Sequence, residues 1–184
     1  SADSVYRLMK GFRNVRIFRS DFQAVCDSMT AISTDSTIHL YINPVLWNQG
    51  NQITSDVMDI FTENQQITRA EFIGTPMMVS QLDTVHYKQM TAWFRDNQIY
   101  RNDVNGNAQT IYYMQDGEPP QITGMGVIES GDCSFYIEDK QVVTIVYRKD
   151  PDWNIYPMDK IPADQELYLK GFKWEGARRP TQGA

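Results

Sequence analysis

Apolar and polar positions alternate with a period of two along most of this chain. DVMDIFT (Asp56–Thr62) is followed after a polar interval by TRAEFI (Thr68–Ile73). KQMTAWF (Lys88–Phe94) is followed by YRNDV (Tyr100–Val104), and CSFYI (Cys133–Ile137) by VTIVY (Val143–Tyr147). Segments of this kind, rich in β-branched and aromatic residues, predict half-buried strands. The intervals between them resemble one another: TDSTI, ENQQI, RDNQI and EDKQV, marked by Asp35, Asn64, Asp96 and Asp139, at steps of 29, 32 and 43 residues. Asp and Asn suit tight turns because their side chains bond the local backbone and tolerate the left-handed region. Each interval therefore predicts a hairpin turn, and the chain reads as an array of hairpin repeats.

A second landmark keeps the same register. Gly74-Thr-Pro and Gly106-Asn-Ala lie 32 residues apart, and Asn14-Val-Arg-Ile is similar to the segment after Gly106. Each unit reads strand, turn, strand, a break at Gly or Pro, and a further strand. The longer last step absorbs a loop at Gln115-Asp-Gly-Glu-Pro-Pro. Stacked hairpin units bury a continuous core between two sheets. The expected fold class is all-β: repeated antiparallel hairpins over residues 1–149, then a cap or exit segment over 150–184. Within that tail, Ile161-Pro-Ala-Asp-Gln-Glu-Leu predicts one short helical turn with Pro162 near its start.

Aligning the units sets Met58 and Ile60 level with Met90 and Ala92, with Phe94 following. On the return strands Ala70 and Phe72 share a face and Val104 is level with Phe72, while Phe135 and Ile137 continue the stripe in the last unit. Two readings of Met58, Ile60, Phe72, Met90, Ala92, Phe94, Val104, Phe135 and Ile137 stand side by side. They form a closed sandwich core, or they line a groove for an apolar ligand. Methionine at aligned positions suits varied acyl chains and is also ordinary core filler.

Composition narrows the partners. The net charge of −6 with no basic stripe argues against nucleic acid and against a polybasic membrane-surface element. No apolar run reaches the roughly 18 residues a spanning helix needs, and the opening SADSVYRLMKGF has no signal-peptide pattern. Cys26 and Cys133 sit in strand contexts and read as small buried thiols, with a bridge between them as the alternative. His39 lies in the strand IHLY, facing outward, and neither it nor His86 has metal-ligand spacing. Asp103-Val-Asn-Gly-Asn fails as a calcium loop, because its Gly comes two positions early and its twelfth position is Met114. There is no nucleophile elbow or dinucleotide fingerprint. No enzyme, cofactor or metal is expected. Trp47, Trp93, Trp153 and Trp174, with ten tyrosines, allow a glycan-binding platform or plain β packing.

Three segments carry a family resemblance: NVRIFRSDFQAVCDSM, NPVLWNQGNQITSD and VNGNAQTIYYMQD. Together they resemble the OstA-like family, the organic-solvent-tolerance and LptA-type lipopolysaccharide-transport group of Gram-negative bacteria. The closing LKGFKWEGARRP is similar to the end of the β region in larger members, so this chain resembles the C-terminal part of such a protein. The resemblance spans nearly all of residues 5 to 180. It implies a β-jellyroll, or β-taco, of two antiparallel sheets open along one side, and a periplasmic address. It also implies lipopolysaccharide or another acylated lipid as ligand, and other jellyrolls or self-association by edge-strand stacking as partners. It implies no catalytic residues, and its ligand residues have no signature to carry over. Two further readings stay open: a β-sandwich that binds glycans or proteins, and a spacer with a packed interior.

Overall fold

The computed structural model describes residues 7–48, 50–80, 83–139 and 141–182, without the side chain of residue 141. The opening residues 1–6 and Lys140 of the fourth repeated turn lie outside the described residues. The fold is all-β and antiparallel, and the described residues form 14 strands in one continuous sheet that folds over into two layers.

Among the described residues four long strands run through both layers: β1 (Leu8–Phe18), β2 (Phe22–Ile32), β11 (Gln98–Asp116) and β12 (Gln121–Glu138). The first layer adds β3 (Thr37–Tyr41), β6 (Val57–Glu63), β7 (Gln66–Ile73), β10 (Gln89–Arg95) and β13 (Gln141–Arg148). The second adds β4 (Val45–Asn48), β5 (Asn51–Thr54), β8 (Met77–Ser80), β9 (Asp83–His86) and β14 (Asp152–Pro157). One edge of β2 pairs β4 through residues 22–25 and β3 through residues 28–32. Strand β11 repeats this with β10 and β9, and β12 with β13 and β14. At the other end of the stack β1 (Leu8–Phe18) pairs along β2.

The repeated intervals are hairpin turns. Asn64 and Gln65, and Asp96 and Asn97, adopt consecutive left-handed conformations, the geometry that matches strand twist in a two-residue hairpin. Asp139 and Ser36 are left-handed in the other two copies. A bulge recurs beside three of these turns, between Phe61 and Thr62, Trp93 and Phe94, and Tyr136 and Ile137. The unpaired residues are Thr68, Tyr100 and Val143. Each bulge flips the facing of the return strand, so Ile67, Ala70 and Phe72 all point inward despite their uneven spacing, as do Ile99, Asn102 and Val104.

The corners between layers repeat as well. Left-handed residues sit at Arg13 and Asn14, Ile42 and Asn43, Gly74, Gly106 and Asn107, and Lys149 and Asp150. Gly74 is held there by its left-handed backbone (φ +104°), and a Cβ would also collide with the Asp56 carboxylate.

The two layers differ in burial. First-layer strands β6 and β10 alternate between buried and half-exposed residues. Second-layer strands β4, β5 and β8 are buried almost continuously, which requires cover on both faces. The outer cover is the tail. Residues 158–182 cross the second layer as an extended strap, meeting β11, β9, β5 and β2 in turn. Tyr113 donates to the Leu167 carbonyl (2.7 Å) and the Leu169 N–H to Thr84 Oγ1 (3.3 Å). Gln52 holds the strap at two points, donating to the Lys173 carbonyl (2.8 Å) and accepting from the Glu175 N–H (2.7 Å). Arg179 closes the run on Gln23 (2.7 Å). Two apolar clusters lie on this outer face: Val25, Val45 and Trp47, and Ile111, Tyr113 and Met125 with Ile161 and Leu169 of the strap. The expected helical turn at 161–167 is instead a reverse turn, closed by the Gln165 N–H on the Pro162 carbonyl (3.0 Å); Pro162 supplies an acceptor, and no helix propagates from it.

Candidate functional site: the space between the layers

All nine stripe residues face the interior of the first layer and belong to one buried cluster. Register sets them in cross-strand rows. One runs Leu40, Met58, Phe72, Met90, Val104, Cys133, Tyr147, and the next Ile38, Ile60, Ala70, Ala92, Asn102, Phe135, Ile145. Facing them from the second layer are Phe22, Ala24, Leu46, Ile53, Met78 and Val85. The least buried of the nine, Phe94, is 6% exposed.

The side away from the corners, where the resemblance implies an opening, is bridged over the first units. Arg19 Nη1 donates to the Gln65 carbonyl (3.1 Å), and Asn48 Nδ2 to the Asn97 carbonyl (3.2 Å). Asn97 Oδ1 also accepts from the Ile67 N–H (2.7 Å). These turns carry enough hydrogen-bonding side chains to join edge to edge, so the interior is closed here.

At the C-terminal end the layers part. A narrow apolar cleft with only about 10 Å³ of room, enough for a single water, lies between them, lined by Met78, Val85, Tyr112, Phe135, Val142 and Ile145 among others. Its second-layer wall continues outward. Val85 pairs with Thr110, Thr110 with Ile128, and Ile128 with Trp153; the next row is Tyr112, Gly126, Ile155. Cross-strand partners share a face, so Trp153 (66% exposed) and Ile155 (53% exposed) extend the interior face beyond the sandwich.

Polar groups gather around this cleft. Asp83 lines it and accepts from the Tyr113 N–H (2.8 Å). Burial pushes its carboxyl up to about 6, against the smaller effect of that bond. Asn102 is fully buried beside Phe135, and its Nδ2 donates to Met78 Sδ (3.3 Å) while Oδ1 has no partner among the described residues. The hydroxyls of Thr110 and Tyr147 face each other, and their interaction partly offsets the burial that raises the Tyr147 phenol. Burial pushes the Tyr147 phenol up to about 12. The alignment of units already carried a signal for Asn102, because it occupies the slot that Ala70 and Ile145 fill in their own units.

The outer face of the first layer is a solvated lattice. His39, half-exposed, pairs with Asp59 (2.7 Å), and Arg69 lies over the Phe61 ring (4.0 Å). Burial would raise the Asp103 carboxyl, but bonds from Ser134, Arg101 and Trp93 outweigh it and hold it below the ordinary range. Cys26 and Cys133 are free and buried, and burial pushes the Cys133 thiol up to about 12. Among the described residues no three His, Cys, Asp or Glu side chains form a metal-binding group.

The architecture defines a β-jellyroll of stacked hairpins with an apolar interlayer that opens at one end. No family model and no curated protein matches the chain. Among solved structures it is similar to the crystal structure of LptH, the LptA-homologous periplasmic component of the conserved lipopolysaccharide transport device from Pseudomonas aeruginosa. The TM-score is 0.53 at 11% identity, covering 74% of this chain and 95% of that one. The likeness is one of fold.

Proposed function

We propose that this protein is a non-enzymatic periplasmic component of lipopolysaccharide transport and outer-membrane biogenesis that holds acyl chains between its two layers. One observation carries the reading: the apolar interlayer face does not end inside a sealed sandwich but emerges at the C-terminal mouth as an uncovered wall bearing Trp153 and Ile155. The LptH-like fold supports it. Each methylene moved from water onto such a wall contributes roughly 0.8 kcal/mol, so a short length of acyl chain suffices for useful affinity. A mouth open to solvent keeps part of the chain wet, which lets cargo leave. The nine stripe residues, Met58 to Ile137, serve as groove contacts deeper in, reached as the layers separate. End-to-end assembly uses the outer edges of β1 and β13, strands that pair within the chain on one side.

The test is photo-crosslinking to purified lipopolysaccharide from positions 153, 145, 90 and 95. Crosslinks at 153 and 145, and at 90 if the layers open, with none at the turn residue Arg95, are expected. A folded protein that crosslinks at none of them refutes the lipid reading. Sedimentation should show concentration-dependent oligomers, and a strict monomer at high concentration refutes edge stacking.

The glycan-binding alternative needs a flat row of exposed aromatics. Trp47 is buried, Trp93 is tied to Asp103 (2.8 Å), and Trp153 and Trp174 lie on separate segments.

A further inference from the structure

The strap that crosses the second layer carries a surface unlike the rest of the chain. The net charge of −6 hides a local reversal: residues 167–182 hold four cations, Lys170, Lys173, Arg178 and Arg179, against one carboxylate, Glu175. Large apolar side chains interleave with the lysines: Leu167, Tyr168, Phe172 and Trp174. Leu169 turns inward to the cluster of Ile111, Tyr113 and Met125, and Gly171 lies over Met77. The other side of the strap faces water. Leu167 is 49% exposed, Tyr168 39% and Trp174 53%.

The strap's own turns hold these rings in place. The Phe172 N–H bonds the Leu169 carbonyl (3.0 Å), and left-handed Gly171 lets Tyr168 and Phe172 stack with ring centroids 4.7 Å apart. Trp174 folds over Gly176, where a Cβ would collide with its Nε1. A contiguous exposed apolar patch rimmed by charge marks an interaction surface. The segment forms no strand, so it offers no backbone ladder for pairing.

The occupant follows from composition and charge. Tyr and Trp combine an apolar body with a polar tip, which suits the water–membrane interface, and lysine stems lie along apolar surface while their ammonium groups reach outward. Glu175 pairs with Lys173 (2.7 Å) and reaches Arg178 (3.7 Å), whereas Lys170 meets no carboxylate in an ion pair among the described residues. Asp164 and Glu166 lie upstream, on the turn beside β11 and β12. An anionic bilayer matches both halves of the patch, with headgroup phosphates for the cations and interfacial depth for the rings.

We propose that the strap docks this protein peripherally on an anionic bilayer surface, with Tyr168, Phe172 and Trp174 entering the headgroup layer and Lys170 and Lys173 on the phosphates. The contact is made by the outer face of the second layer. It is independent of what the layers hold between them, because the interlayer stripe and Trp153 lie on the sheet's other face.

The experiment mixes the full chain with vesicles of equal parts phosphatidylglycerol and phosphatidylcholine, or of phosphatidylcholine alone, and separates bound protein by flotation. The wild-type chain should float with the anionic vesicles, and less so as salt rises. Lys170→Gln should weaken binding about fivefold, the share of one lysine near an anionic surface. Trp174→Ala should weaken binding and reduce the blue shift of indole emission that accompanies it. Trp153→Ala should bind as the parent does. All three side chains are exposed, and circular dichroism checks that each variant folds. No flotation, equal flotation with both vesicle types, or binding that neither Lys170→Gln nor Trp174→Ala weakens overturns the proposal and leaves the cargo reading standing. Loss of flotation in Trp153→Ala alone would place the membrane contact at the cleft mouth, which also overturns it.

Discussion

Asp83 opens β9 at the cleft, where its carboxylate accepts the Tyr113 N–H (2.8 Å) and no cation offsets its burial. Its carboxyl is raised from 3.8 to about 6. The folded protein therefore holds this proton more tightly than the unfolded chain. Its contribution to stability is full below about pH 4 and is lost as pH rises through 6. A shift of about two units corresponds to roughly 3 kcal/mol, at about 1.4 kcal/mol per unit. Asp83→Asn keeps the shape and an oxygen for the Tyr113 N–H but cannot ionise. It should match the parent near pH 4 and exceed it by about 2–3 kcal/mol at pH 8. For a chain of this size that is about 5–10 °C in Tm. Urea unfolding of both proteins from pH 4 to pH 8 measures it, with equal m-values required. Asp103 and Asp132, whose carboxyls are held low mainly by their bonds, destabilise both proteins equally in acid and cancel in the difference. A difference that is flat with pH, or a variant less stable at pH 8, refutes the reasoning.

Phe94→Asp places a carboxylate in the closed interior and should abolish folding, seen as loss of the β signal in circular dichroism; a folded variant would show that the interior opens there. Gln52→Ala removes both strap bonds and should cost about 1–3 kcal/mol; limited proteolysis should then cut within 165–182 before the β region. Asn97→Ala removes the bond to the Ile67 N–H and strains a left-handed position. It should cost about 2 kcal/mol, read by thermal melting, and Asn97→Gly should cost less because glycine accepts that backbone.

Local chemistry explains what was legible beforehand. Paired Asp, Asn and Gln residues take left-handed φ readily, so ENQQI and RDNQI announced hairpins. The alternation of VMDI and MTAWF placed Met58, Ile60, Met90 and Ala92 on one face, and the structure puts them there. The break at Gly74 and Gly106 marked corners because the chain turns there through positive φ. Asn102 was not singled out, because a single polar residue in an apolar row looks like noise until its slot is aligned with Ala70.

The sequence by itself determined the hairpins, their register and the inward stripe, because a two-residue period and turn chemistry act over a few neighbouring residues. Only the tertiary structure decided what each face meets. Gln52 and Lys173 are 121 residues apart, and no local pattern announces that a tail will cross the second layer and bury its outer face. Asn48 and Asn97, 49 residues apart, close the side that a hairpin array leaves open. The mouth beside Trp153 lies at the end of the stack, where β13 and β14 each pair only with β12 and no further unit among the described residues covers them.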